Sequence, residues 1–382
     1  MYMSLFRKES VITLSCPRKL APYLRKETEA LGFRTTDFRE TGLDVRGTLN
    51  DCIRLNLQLR TAHRVHYLIA ETKADTPDAL YAWLAGLAWE DWVPANGYIA
   101  VTSRVNHPTI TNTQFANLKV KDAVVDRIRA KKGVRPNAGA DLNKTVLFLY
   151  WDEKQARIFF DTSGESLSRR GYRVENTEAP MQESLAAALV MASGWVPGMH
   201  FINPMCGSGT LAIEAAMHAA GIEPAARRRN FGFMHINGFE RAEYKKQRLA
   251  LRAGRKDAVP GQIIATDHSP DTLEAARRNA KAAGVEAFIT FACCDFSETP
   301  VPDGEGVILM NPPYGERLGI RHKLQQTYTE IGTWMKHEAK GKTGYVITSD
   351  PGLAKKIGLK PMVNQTFFNT TLECRFLGFE LY

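Results

Sequence analysis

Apolar and polar positions follow two rhythms along this chain. In the front half, short apolar runs trade places with amphipathic stretches. Residues 11–15 read as a strand, 20–31 as a helix stopped by Gly32, and 41–47 as a strand. Residues 49–59 then read as a second helix and 64–72 as another strand. These five elements, one strand short of the full set, suggest the β-α-β-β-α-β rhythm of a small ferredoxin-like domain. A further α/β unit is expected over about residues 79–161, with Trp83, Trp89 and Trp92 near its start as packing residues. Within it, residues 109–136 read as a helix whose basic end is exposed. A polar segment with glycine and arginine, 163–180, marks a boundary before a helix over 183–193.

The back half has a different pattern: buried-strand runs, each ending in a residue with chemistry. Residues 200–203 run into Pro204-Met205-Cys206-Gly207-Ser208-Gly209-Thr210 and then an Ala- and Leu-rich helix. Glycines at 207 and 209 permit a sharp turn and let a ligand lie against the backbone. The helix N-terminus beyond offers free N–H groups. The loop lacks the Gly-Lys-Ser/Thr ending of a triphosphate loop and the third glycine of a dinucleotide loop. It suits a ligand with a carboxylate in place of phosphates, as S-adenosyl-L-methionine has. Residues 262–267 form a strand ending in Asp267, placed to accept from ribose hydroxyls. A helix over 271–283 stops at Gly284, and residues 288–292 form a strand tipped by Asp295, a candidate acceptor for an adenine amine. Residues 306–310 lead to Asn311-Pro312-Pro313-Tyr314. Neither proline has an N–H, so that turn is rich in acceptors, and an aromatic ring follows. The arrangement suits the exocyclic amine of a nucleobase. Ligands of open α/β sheets bind at the carboxyl ends of the strands, so the four tips are expected to converge. Residues 366–380 read as a closing antiparallel hairpin.

Charge divides unevenly. Residues 1–170 carry 26 Lys+Arg against 19 Asp+Glu, and residues 171–382 carry 24 against 22, within a formal net charge of +9. The excess sits away from the glycine loop, as expected if the front half grips a polyanion. Candidate phosphate contacts are Asn117, Lys119, Lys121, Arg127, Arg129, Lys131, Lys132 and Arg135, with a solvated helix face as the alternative. Residues 222–259 read as an insertion. Its run of Arg227, Arg228, Arg229, Phe231 and Phe233 suits unpaired RNA, or else docks both rings on the core. Six cysteines form no Cys-x-x-Cys pair, so no metal site or disulfide framework is expected. No apolar run approaches a membrane span and no secretory signal is visible at residues 1–8, so a cytoplasmic protein is expected.

Asn-Pro-Met-Cys-Gly-Ser-Gly-Thr at 203–210 and Asn-Pro-Pro-Tyr-Gly-Glu-Arg-Leu at 311–318 make the chain resemble THUMP-domain class I S-adenosylmethionine-dependent methyltransferases that modify guanosine N2 in 23S ribosomal RNA. The resemblance extends through 119–126, 163–167 and Arg170-Gly171-Tyr172-Arg173, covering nearly the entire chain. It implies an α/β protein: a C-terminal Rossmann-like methyltransferase domain with a mostly parallel sheet (166–382), preceded by a ferredoxin-like domain (1–75) and a THUMP RNA-binding domain (76–165). It also implies that cofactor binding involves Asn203, Pro204, Cys206, Gly207, Ser208, Gly209, Thr210, Asp267 and Asp295, with residues 179–185 beside the methionine end. The base would be held by Asn311, Pro312, Pro313 and Tyr314. Asn203 stands where the family usually carries Asp; Asn keeps the hydrogen-bonding capacity and removes a charge, so the site is expected to survive, with cofactor affinity open to change. Some relatives carry an additional C-terminal methyltransferase domain that these 382 residues do not include.

The function expected is therefore methyl transfer from S-adenosyl-L-methionine to a guanosine N2 amine in 23S ribosomal RNA, free or in a pre-ribosomal particle. A transfer-RNA guanosine-N2 enzyme, an N6-adenine methyltransferase and a non-catalytic RNA-binding assembly factor are the alternatives.

Overall fold

The structure, a computed structural model, describes residues 5–108, 110, 112–153, 155–175, 181–314 and 318–382, without the side chains of 318–321. The expectations that fall on 176–180 and 315–317 lie outside the described residues. The chain forms two compact units. One comprises Met1–Cys16, Arg25–Arg169 and Arg228–Ala250, the other Pro17–Leu24, Arg170–Arg227 and Leu251–Tyr382.

The first unit is built on β1 (Ser10–Ser15), α1 (Ala21–Ala30, shared with the second unit), β2 (Thr35–Arg39), β3 (Gly42–Gly47), α2 (Leu49–Gln58) and β4 (Arg64–Thr72). It continues with α3 (Pro77–Gly86), α4 (Trp89–Trp92), β5 (Tyr98–Asn106), α5 (Thr113–Lys132), β6 (Asn137–Gly139), β7 (Thr145–Asp152) and β8 (Ala156–Asp161). All eight strands join one sheet in the order β2-β3-β1-β4-β8-β7-β5-β6. The ferredoxin-like set therefore runs into the following α/β set through the antiparallel β4–β8 pair. Helix α2 starts where it does because Thr48 and Asp51 form a reciprocal capping box. It packs with Leu49, Ile53, Leu55 and Leu57 fully buried, as are Ile12, Leu14, Leu43 and Val45 of the sheet.

The second unit contains α6 (Glu183–Ala192), β9 (His200–Asn203), α7 (Thr210–Ala219), part of α8 (Arg241–Ala253), β10 (Ile263–Asp267), α9 (Pro270–Ala283) and β11 (Ile289–Cys293). After these come β12 (Gly306–Met310), α10 (Leu318–Glu338), β13 (Thr343–Thr348), α11 (Pro351–Lys356), β14 (Val363–Asn369) and β15 (Leu372–Glu380). The sheet order is β11-β10-β9-β12-β13-β15-β14, with the first five strands parallel and the terminal hairpin antiparallel. Every residue of β10 and β12 is buried, as expected for strands covered by helices on both faces. The chain winds outward from β9 in one direction and from β12 in the other. The crevice at their carboxyl ends is thus the topological switch point where an open α/β sheet takes its ligand. Among the described residues no helix is long and apolar enough to cross a membrane.

Candidate active site

The switch point is organised by backbone conformations that few residue types tolerate. After β9 the chain takes positive φ at Met205 (52°), Gly207 (56°) and Gly209 (79°). A Cβ on Gly207 would meet nothing within 4 Å, so the space over this turn is open, whereas one on Gly209 would stand 3.0 Å from the Ala276 Cβ. Gly207 thus leaves its backbone bare toward a ligand, and Gly209 lets α7 approach α9. Three hydrogen bonds fix the loop: Cys206 N to Thr266 O (2.9 Å), Gly209 N to Cys206 O (2.9 Å) and Gly207 N to Asp267 Oδ2 (3.0 Å). The other Asp267 oxygen accepts from Ser269 N at 3.0 Å. Each carboxylate oxygen keeps a further lone pair. Burial pushes the Cys206 thiol up, so it stays protonated.

Asn203 is fully buried at the tip of β9, and its Nδ2 donates to Leu309 O on β12 at 2.8 Å. Its Oδ1 has no partner among the described residues. Asn311, which follows β12, shows the same feature: its Oδ1 is buried and has no hydrogen bond among the described residues. Pro312 is buried, Pro313 is exposed, and Tyr314 is half-buried against the cluster formed by Met310, Leu324, Tyr328 and Val346. Burial, with Cys374 nearby, raises the Tyr314 phenol. Asp295 is exposed, and its Oδ1 caps a short turn by accepting from Ser297 N (3.0 Å) and Ser297 Oγ (2.6 Å).

Three residues given no role above support this site. Arg173 donates from Nη1 to Ser208 Oγ (3.1 Å) and from Nη2 to Met181 O (2.8 Å) and Thr210 Oγ1 (3.3 Å), while its Nε faces Glu183 at 3.3 Å. Asn279 on α9, 1% exposed, accepts from Val174 N and Glu175 N at 2.9 and 3.0 Å and donates to Glu175 O and Ser208 O, each at 3.2 Å. Glu214 on α7 pairs with Arg170 at 3.4 Å, both side chains being 1% exposed, and accepts from the Tyr172 hydroxyl at 3.1 Å. The motif Arg170-Gly171-Tyr172-Arg173 carries two of these partners in plain view. Nothing in the local pattern distinguishes Asn279 from any other polar helix residue.

The cationic residues of the first unit sort into two groups. Lys119 pairs with Asp78 (3.2 Å), Lys121 with Asp122 (2.9 Å), and Arg127 clasps Glu90 through two bonds of 2.7 and 3.0 Å. The guanidinium holds the Glu90 carboxyl below its usual range. Arg129, Lys131, Lys132 and Arg135 are exposed at and beyond the end of α5, and Arg229 is exposed as well. Arg228 instead directs its guanidinium to backbone carbonyls: Nη2 to Ser163 and Glu165 (both 2.7 Å), Nη1 to Ser166 and Nε to Asn230 (both 3.0 Å). It also lies over the Phe231 ring at 4.9 Å. Phe231 and Phe233 are fully buried, stacked on each other at 4.9 Å. Of the two roles open to these rings, the structure gives them the core one.

Among the described residues no cluster of His, Cys, Asp or Glu is placed to hold a metal ion. Comparison with known proteins bears on the whole chain. The chain is 38% identical to the ribosomal RNA large subunit methyltransferase K/L of Syntrophotalea carbinolica over 96% of its length and 53% of that protein's. It is 33% identical to the protein of the same name from Pseudomonas paraeruginosa, over 95% and 52%. The chain thus spans about half the length of the curated relatives it matches. Among solved structures it superimposes on SMU.472, a putative methyltransferase complexed with SAH (TM-score 0.88, 26% identity, 98% and 99% of the two chains). It also superimposes on a predicted N6-adenine-specific DNA methylase from Listeria monocytogenes (TM-score 0.89, 28% identity, 98% and 97%). The family model for an RlmL ferredoxin-like domain matches residues 12–66 and that for the THUMP domain matches 74–158. Residues 170–377, more than half of the chain, match the RMKL-like methyltransferase domain, and the chain belongs to that family.

Proposed function

We propose that this chain transfers a methyl group from S-adenosyl-L-methionine to the N2 amine of a guanosine in large-subunit ribosomal RNA. The observation that carries the reading is the buried Asn311 Oδ1 at the switch point, which has no partner among the described residues. An acceptor of this kind costs stability unless something donates to it, and a base amine is a donor. The loop residues fit the cofactor. Gly207 leaves open space over its backbone, Asp267 keeps lone pairs for a ribose diol, and the α7 N-terminus faces an anion-friendly turn closed by Arg173. When bound, S-adenosyl-L-methionine supplies an electrophilic methyl on its sulfonium.

The chain's own residues orient the nucleophile. A guanine amine is a poor nucleophile because its lone pair is delocalised into the ring. Asn311 Oδ1 and the Pro312 carbonyl accept its two hydrogens, which favours the pyramidal amine and directs the lone pair outward. Tyr314 stacks on the base, which must leave its helix to reach the crevice. Much of the acceleration then comes from orientation alone. Residues 166–382 would do this chemistry, and RNA would be gripped by Arg129, Lys131 and Lys132 of residues 76–165 together with Arg229. Lys119, Lys121, Arg127 and Arg228 act chiefly within the fold.

The test is nucleoside mass spectrometry on unmodified ribosomal and transfer RNA after incubation with the protein and S-adenosyl-L-methionine. We expect N2-methylguanosine in large-subunit ribosomal RNA, lost with Asn311→Ala. N6-methyladenosine, or signal confined to transfer RNA, would refute the substrate reading.

A further inference from the structure

Helix α8 carries five cations, Arg241, Lys245, Lys246, Arg248 and Arg252, against Glu243 alone, and none of its 13 residues is buried. Its inward side is defined by Tyr244, whose ring lies 6.0–6.4 Å from those of Phe231, Phe233 and Phe239. At 100° per residue, Arg241, Arg252, Lys245, Leu249 and Lys246 lie in turn about 60°, 80°, 100°, 140° and 160° around the helix from Tyr244, whereas Arg248 lies about 40° from it, with its guanidinium 6.0 Å from the centre of that ring. Arg241, Lys245, Lys246 and Arg252 are exposed and have no acidic partner among the described residues, while Glu243 accepts from Gln247 at 3.2 Å. Leu249, 64% exposed, is the one large apolar side chain among them.

An uncompensated stripe of this kind repels itself and persists at a cost unless a polyanion covers it. A lipid surface would need a broad apolar face to enter, and Leu249 with its neighbouring alanines does not make one. From Arg241 to Arg252 the helix axis runs about 16 Å, enough for these cations to meet several successive phosphates of one strand. We infer that the outward face of α8 binds the phosphate backbone of the RNA substrate, with Leu249 against sugar or base edges. This rests on the RNA-methylation reading above and adds to it a surface distinct from α5.

The test is the salt dependence of binding to a fluorescent large-subunit ribosomal RNA fragment. The protein is compared with the variant Arg241→Gln/Lys245→Gln/Lys246→Gln/Arg252→Gln. A charge-matched control, Lys336→Gln/Lys355→Gln/Lys356→Gln/Lys360→Gln, changes exposed lysines elsewhere. Losing four phosphate contacts should lower the slope of log affinity against log salt by about 3, so the affinity gap to wild type narrows roughly 50-fold between about 50 and 200 mM salt. Calorimetry with S-adenosylhomocysteine should show equal cofactor-site binding in both proteins. A variant with the wild-type slope, or a control that shifts as far, would overturn the inference while leaving the substrate reading intact. Residues of α8 that prove necessary for sedimentation with phosphatidylglycerol vesicles and not for RNA binding would overturn it too. A wild type that binds S-adenosylhomocysteine but no ribosomal RNA would remove the reading and the inference together.

Discussion

Replacing Asn279 by alanine removes four hydrogen bonds from one buried amide, and their weights differ. The bonds to Val174 N, Glu175 N and Glu175 O lie where solvent reaches, Val174 being 59% exposed, so water can replace them. The bond to Ser208 O does not have that relief, because Ser208 is 5% exposed within the glycine loop. Losing the bond and orphaning that carbonyl should cost about 2 kcal/mol, with a few tenths more from the other three. If the loop must then be reordered when ligand binds, the same 2 kcal/mol appears as a roughly 30-fold rise in dissociation constant. Isothermal titration with S-adenosylhomocysteine gives the binding term, and hydrogen exchange at the amides of Ser208 and Gly209 reports the loosening directly. Affinity within about two-fold of wild type, with unchanged exchange at those amides, would refute the idea that Asn279 pre-organises the loop.

Three further outcomes are expected. Phe231→Ala should destabilise the first unit by about 3–5 kcal/mol in urea unfolding, since the ring is fully buried; a base-stacking platform would instead weaken RNA binding at unchanged stability. Burial alone would raise the Asp161 carboxyl, but His66 at 3.6 Å and Arg64 hold it below its ordinary value. The native pKa being depressed, that stabilisation is complete above the unfolded value near about 4 and is lost as pH falls through the native one, so acid titration followed by tryptophan fluorescence should show a step that Asp161→Asn lacks. Asn203→Asp would replace the donor to Leu309 O with a fully buried carboxylate whose pKa must rise; its penalty should be absent below the unfolded pKa and grow with pH, so its urea midpoint should fall further below wild type at pH 8 than at pH 5.

The second unit is legible in the sequence because β9, β10 and β12 are short, almost wholly buried runs, and each leads into polar residues with hydrogen-bonding chemistry: Asn203 and the glycine loop, Asp267, and Asn311. Their convergence follows from a general rule of open sheets and needs no knowledge of side-chain contacts. Strand β2 escapes a reading by pattern: Thr35–Arg39 is polar, largely exposed and at the edge of its sheet, so no alternation marks it. The joining of β4 to β8 is invisible for another reason, since the pair lies far apart in sequence and either strand could serve as an edge. Charge misleads most. Arg127, Arg228 and Arg229 look alike in the sequence, but Glu90, a cage of carbonyls and open solvent respectively surround them. Asn279 is illegible because its partners come from two distant stretches of chain, 174–175 and the glycine loop at Ser208.

The interleaving of the two units along the chain constrains how the protein can be made. A ribosome releases all eight strands of the first sheet by residue 161, but Phe231 and Phe233 belong to that same unit and emerge only after 170–227 of the other. At typical elongation speeds the first unit's core stays open for roughly 4–14 s of synthesis. For that interval an apolar surface awaits two rings not yet translated. For the same reason no single cut divides this protein into two complete halves. A fragment ending at residue 169 would lack the aromatic pair, and one beginning at residue 170 would carry it without the sheet of the unit it belongs to.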